Sequence, residues 1–146
     1  MIIGKYPSLR LRRSRKDPWS RRLIQENTLS PNDFILPIFL IEGSNKRQEI
    51  SSMPGVYRYT INRLSQIVDK AIKLGIPMIA LFPKTQNSKK DELGTESLNE
   101  NNLVCKAIQE VKKRYKNQIG IMCDVALDPY TSCLLYTSDA ADDMQC

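Results

Sequence analysis

Three apolar runs, separated from one another by segments of helical period, constrain this chain more than any other feature. Residues 34–41 (FILPIFLI), 76–82 (IPMIALF) and 119–127 (IGIMCDVAL) are far shorter than the roughly 20 residues of a membrane span. They suit strands of a parallel sheet buried on both faces. The proline at position 37 assigns the first run to an end or edge. Between the first two runs, Leu64, Ile67, Val68, Ala71 and Leu74 share one helical face, with Asn62 placed to cap the start and Gly75 to make the left-handed stop. Between the last two, Leu103, Val104, Ala107, Ile108, Val111 and Tyr115 repeat that pattern. Strand, helix, strand, helix, strand with short helix-to-strand joins predicts right-handed β-α-β units and an α/β fold. No GxGxxG follows any strand, so a TIM (β/α)8 barrel is at least as good a reading as a doubly wound dinucleotide-binding sheet.

The connecting segments read as follows. Asp17-Pro18-Trp19 introduces a short helix over residues 21–27, and residues 29–33 form a turn cluster. Residues 42–59 read as a polar loop punctuated by glycine and proline, long enough to be a working loop. Pro83 is expected to end the second strand, and residues 84–98 are polar and turn-rich.

Charge is concentrated rather than spread. Residues 1–22 hold eight basic side chains against the single acid Asp17, a net +7, which leaves −1 for the rest of a chain whose total is +6. A basic arm on a near-neutral body can dock on a neighbouring subunit, bind nucleic acid or direct the chain to an organelle. No RNP-type aromatic motif or zinc-finger spacing supports nucleic acid. The four cysteines, Cys105, Cys123, Cys133 and Cys146, form no CxxC pair and no secretory leader precedes them, so reduced thiols in a soluble, cytoplasmic protein are expected. Histidine is absent, which excludes a complete Ser-His-Asp, Cys-His or HExxH site within this chain.

The third strand carries the candidate chemistry. Strict alternation sets Asp124, Ala126 and Asp128 on one face and Val125 and Leu127 on the other. Acids at the carboxyl end of a barrel strand face the mouth where such enzymes react, and a pair of carboxylates there would bind a cation or an amine. The plainer alternative makes Asp124 a turn cap and Asp128 the opening of the Asp128-Pro129 turn. Lys84 follows the second strand and has the residue type of a Schiff-base nucleophile. Its polar surroundings beside Lys89 and Lys90 favour a solvated surface lysine.

Taken in order, Arg21-Arg22-Leu23 with Glu26-Asn27-Thr28-Leu29, Leu36-Pro37-Ile38-Phe39, Ser52-Met53-Pro54-Gly55-Val56, Leu74-Gly75-Ile76-Pro77 with Ala80-Leu81-Phe82-Pro83, and the run from Asp124 to Ser132 resemble the porphobilinogen synthase (delta-aminolevulinate dehydratase) family. The resemblance covers about residues 10–132. It implies a (β/α)8 barrel that condenses two molecules of 5-aminolevulinate into porphobilinogen through two Schiff-base lysines. Both lysines lie on later strands of the family's barrel, and a full barrel takes about 250 residues, so the 146-residue chain alone is expected to be inactive. The resemblance also implies a basic arm that wraps a neighbouring subunit in a homo-octamer.

Zinc-dependent members of the family place cysteines where this chain has Ala126 and Asp128. Carboxylates suit a hard cation, so the resemblance here is to the magnesium-responsive members and zinc is not expected. By the same carry-over Asp124 positions a substrate amine or a catalytic lysine, and Asp128 contacts substrate or a cation. The expected layout is a basic arm over 1–32, the first part of the barrel over 33–132, and a tail over 133–146 (CLLYTSDAADDMQC) that departs from the family and reads as a sequencing or assembly artefact. Two rival readings remain: a nucleic-acid-binding module built on the basic arm, and a different Schiff-base barrel lyase or aldolase.

Overall fold

The structure, a computed structural model, describes residues 4–5, 7–9 and 12–132. The tail expected over residues 133–146 lies outside the described residues. The chain divides at Ser30 and Pro31 into two compact units, each described by itself.

In the first unit one helical turn and a half, α1 (Pro18–Leu23), begins with proline at its first position, where no intrahelical N–H is lost. It starts and stops earlier than residues 21–27. The Arg21 guanidinium donates to the carbonyls of Arg15 (3.0 Å) and Lys16 (2.8 Å), closing the 3₁₀ turn Arg13–Arg15 against the helix.

The second unit is a five-stranded sheet with strands β1 (Ile35–Ile41), β2 (Arg47–Ile50), β3 (Met53–Tyr59), β4 (Met78–Lys84) and β5 (Gly120–Cys123), in the spatial order β2-β3-β1-β4-β5. Helices α2 (Leu64–Lys73) and α3 (Leu103–Tyr115) provide the crossovers. The strands β1, β4 and β5 lie side by side in chain order and all parallel, in the register Leu36–Ile79–Ile121 and Ile38–Leu81–Cys123 by stepwise pairing of β1 with β4 and of Ile79 with Ile121 and Leu81 with Cys123. Side-chain alternation splits this sheet. Ile38, Leu40, Ile79 and Leu81 pack with Leu64, Val68 and Ala71 of α2 and Leu103, Ala107, Val111 and Tyr115 of α3. Each fully buried aliphatic side chain contributes about 1.5–3 kcal/mol by leaving water. The opposite face carries the rows Ile35–Met78–Gly120, Pro37–Ala80–Met122, Phe39–Phe82 and Ile41–Lys84. Phe39 and Phe82 face each other with ring centroids 5.7 Å apart.

Four departures from the sequence reading have physical causes. Residues 42–59 are largely a hairpin, not a loop: β2 and β3 pair antiparallel with a bulge at Glu49 and Ile50, and β3 joins β1 in parallel through Phe39–Arg58 and Leu40–Tyr59. Its glycine and proline sit at the start of β3, and the alternating Val56, Tyr57, Arg58 and Tyr59 make the pairing segment. Pro83 does not end β4, because β5 pairs with β4 only as far as Leu81, and past that point the proline has an unpaired side. Pro37 is tolerated on the same ground, since β3 reaches only Phe39 and Leu40. Asn62 does not cap α2: a 3₁₀ turn, Ile61–Arg63, leads into the helix, and the Asn62 side-chain oxygen accepts from the Asn45 N–H (3.0 Å) and the Thr60 hydroxyl (2.7 Å). Leu74 is exposed beyond the helix end rather than buried on its face. Gly75 does take a left-handed φ of +76°, with Gly75 N–H bonded to Ile72 O and Ile76 N–H to Ala71 O, both at 3.0 Å. At α3 the cap is Asn102, whose side-chain oxygen accepts from the Cys105 N–H at 2.9 Å.

Candidate active-site mouth

The carboxyl ends of β1, β4 and β5 point the same way and deliver Ile41, Lys84 and Asp124 to one edge of the sheet. Lys84 is exposed, as a solvated lysine is, and it occupies the face turned away from the helices, in the row of Ile41. The third strand is shorter than its apolar run suggests. Pairing stops at Cys123, and residues 124–126 leave the sheet. Asp124 therefore does not alternate with Ala126 and Asp128 along a strand. Its carboxylate accepts the Ala126 N–H at 3.2 Å, a local turn that bends the backbone out of strand geometry. Asp128 opens the next turn, in which Leu127 O accepts from the N–H groups of Tyr130 (2.8 Å) and Thr131 (3.1 Å), and the Thr131 hydroxyl donates to Asp128 O at 3.5 Å. Both aspartates are exposed. The local geometry is thus that of the plainer alternative, with the two acids still following the carboxyl end of the strand.

This turn is seated by burial. Thr131 and Tyr130 are buried, and burial, with smaller contributions from Cys105, Cys123 and Glu96, pushes the Tyr130 phenol above its ordinary pKa. Nearby, Lys89 donates to Glu42 at 2.6 Å and lies 3.6 Å from Glu96, tying the segment after β1 to the segment after β4. The hydrogen bond to Glu42 raises the lysine's pKa, but an exposed pair of this kind contributes little to stability.

The described residues contain no group of three or more His, Cys, Asp or Glu side chains placed to hold a metal ion. Two cysteines are described, both free: Cys105 on α3 and Cys123 at the end of β5. Cys123 packs against the helix-facing core, and burial, followed by the neighbouring Cys105, pushes its thiol pKa up. A thiol held protonated is a poor zinc ligand. Sequence reading missed the interlocking of residues 91–95 with residues 127–132. Its signal was present in Asp91, Gly94 and Thr95, residues typical of a tight turn, inside a stretch that reads only as polar loop.

Parallel strands in chain order with the crossover helices packed on one face are the arrangement of part of a (β/α) barrel, a class of fold whose sites are built by the loops that follow the strands. The chain belongs to the delta-aminolevulinic acid dehydratase family, whose model matches residues 8–135. It is 51% identical over 125 residues to the delta-aminolevulinic acid dehydratase of Bradyrhizobium diazoefficiens, covering 86% of this chain and 35% of that one. The enzyme of the same name from Chlamydia pneumoniae is 38% identical over 125 residues, with 86% and 37% covered. Among solved structures, the delta-aminolevulinic acid dehydratase of Toxoplasma gondii, in complex with the reaction product porphobilinogen, superposes with a TM-score of 0.75 at 36% identity. That match covers 85% of this chain and 35% of the other. The chain thus spans little more than a third of the length of these relatives.

Proposed function

We propose that this chain contributes the early strands of a porphobilinogen synthase, a hydro-lyase that joins two molecules of 5-aminolevulinate into porphobilinogen with loss of water in tetrapyrrole (haem) biosynthesis. The observation that carries the reading is the family model's match over residues 8–135, which takes in β1, β4 and β5 and both Asp124 and Asp128. In this reading Asp128 contacts substrate at the mouth, and Asp124 positions a substrate amine or a catalytic lysine supplied by a later strand. Nucleic-acid binding by the arm is not favoured, since the family match begins at residue 8 and takes in every basic residue of the arm except Lys5. The test is expression of the complete reading frame and incubation with 5-aminolevulinate. Porphobilinogen should form, and Asp128→Ala should lower kcat/KM at least tenfold; a well-folded enzyme that makes no porphobilinogen refutes the proposal.

Magnesium is the cation proposed, on the chemistry of the donors: Asp128 offers hard oxygen where zinc would need thiolate, and Ala126 offers nothing. No step is routed through the metal. Enzyme stripped by chelator should regain function with magnesium and not with zinc, and zinc-restored activity would overturn the assignment. We further propose a homo-octamer assembled through the arm. In the first unit Trp19, Leu23 and Leu29 are 62%, 77% and 76% exposed, apolar surface that a neighbouring subunit would cover. A cytoplasmic location accords with the two free cysteines.

A further inference from the structure

The loop that follows β4 is fastened to the turn that carries Asp128. The Asp91 N–H donates to Tyr130 O at 3.3 Å and the Ser132 N–H donates to Asp91 O at 3.0 Å, so Asp91 and Thr131 pair as a short parallel bridge. The Asp91 side chain then shapes its own loop. Its Oδ1 accepts the N–H groups of Leu93 and Thr95, both at 3.0 Å, and its Oδ2 accepts the Thr95 hydroxyl. The resulting tight turn presses the buried Gly94 onto residues 127–131. A Cβ at Gly94 would lie 3.2 Å from Thr131 Cγ2 and 3.6 Å from both Leu127 Cδ2 and Tyr130 Cβ. One residue therefore grips the acidic turn twice, by main-chain pairing at its exit and by the loop it folds against its flank. The turn's bonds from Tyr130 and Thr131 to Leu127 O are local, so they do not by themselves set its orientation.

We infer that Asp91 is a positioning residue for Asp128: it fixes the attitude of the 127–131 turn and so the place at which the Asp128 carboxylate meets substrate. The inference rests on the reading of Asp128 given above. It also accounts for a carboxylate that accepts from the N–H groups of Leu93 and Thr95 and from the Thr95 hydroxyl. Misplacing a reacting group by about 1 Å can cost on the order of a hundredfold in rate. The loss on removing Asp91 should thus be felt at Asp128 and nowhere else.

A double-mutant cycle in the complete enzyme tests this. Asp91→Ala should lower kcat/KM by about ten- to a hundredfold in the wild-type background and by less than about twofold in an Asp128→Ala background. Asp91→Asn keeps an acceptor oxygen for the two N–H groups and should restore most of the activity. Thr95→Val, which removes one donor and leaves the main chain intact, should show the same non-additivity at smaller size, and it carries the test if Asp91→Ala does not fold. Equal losses in both backgrounds, or no loss in the first, overturn the inference and leave the role of Asp128 standing. Full activity in Asp128→Ala removes that role and the inference with it.

Discussion

Replacing Tyr115 by phenylalanine isolates the polar tie between the two crossover helices. Tyr115 ends α3 with its ring in the core at 6% exposure, and its hydroxyl donates to Asp69 Oδ1 on α2 at 2.6 Å, with Ser65 O at 3.4 Å. Burial, and then the Asp69 carboxylate, push the phenol from 10.0 to about 12. Two pKa units correspond to about 2.7 kcal/mol of preference for the neutral phenol. Much of that is the cost of burying a phenolate, which phenylalanine never incurs. The part that Tyr115→Phe removes is one hydrogen bond to a charged acceptor, worth about 1.5–3 kcal/mol when well desolvated. Asp69 is 56% exposed and shared with Arg114 at 4.0 Å, so water replaces much of the loss and about 1 kcal/mol is expected. Urea unfolding at neutral pH should show a lower midpoint with unchanged slope. Because the folded state holds the proton more tightly, this contribution is complete below pH 10 and is lost as pH rises toward about 12. Tyr115→Phe should flatten that alkaline decline. Refutation would be a change below about 0.3 kcal/mol at neutral pH together with an unaltered decline.

Gly94→Ala should destabilise by about 2 kcal/mol, combining a left-handed φ of +64° with a Cβ 3.2 Å from the buried Thr131. The control is Gly55→Ala, where φ is +80° but no atom lies within 4 Å, and about 1 kcal/mol is expected; equal losses in urea melts would refute the close-approach argument. The Thr95 hydroxyl, then its N–H, hold the Asp91 carboxyl below its ordinary 3.8, so the stability it adds is present above that value and lost as pH falls through the lower one. Asp91→Asn should be less pH-sensitive below about pH 4, as read from urea midpoints. Sequencing the source locus across Cys133 should fail to recover the 133–146 tail, and genuine reads through it would refute the artefact reading.

The strands and helices that form the parallel sheet were legible because each buries a periodic apolar face. Val68, Ala71, Ala107 and Val111 recur at helical spacing and are all buried, as are Ile38, Leu40, Ile79 and Leu81 at strand spacing. The hairpin over 47–59 was not, because hydrogen bonding rather than burial holds it: the only fully covered residue in its two strands is Ile50. Edge pairing of half-exposed residues leaves no periodic trace, and the glycine and proline at its start argue for a loop. The extent of β5 failed for the converse reason. Apolar continuity through Val125 extends the run, yet Val125 is 94% exposed, because what ends a strand is its partner's reach and the competing turn at Asp124.

The same distinction governs the candidate site. Asp124 and Asp128 are recognisable from residue type and from their place after an apolar run, but alternation along a strand is the wrong ground for setting them on one face, since neither lies in a strand. Asp124 is set by its local bond to Ala126, while the turn that carries Asp128 meets residues distant in sequence: Asp91 with Tyr130 and Ser132, and Gly94 beside Thr131. A strand places the first residue of such a mouth and cedes the rest to its loops. On the proposal made above, the residues that aim Asp128 stand in the loop after the preceding strand. It follows that substitutions at Asp91, Gly94 and Thr95 should alter activity, and substitutions at the exposed Glu92 and Leu93 side chains, which make none of these contacts, should not.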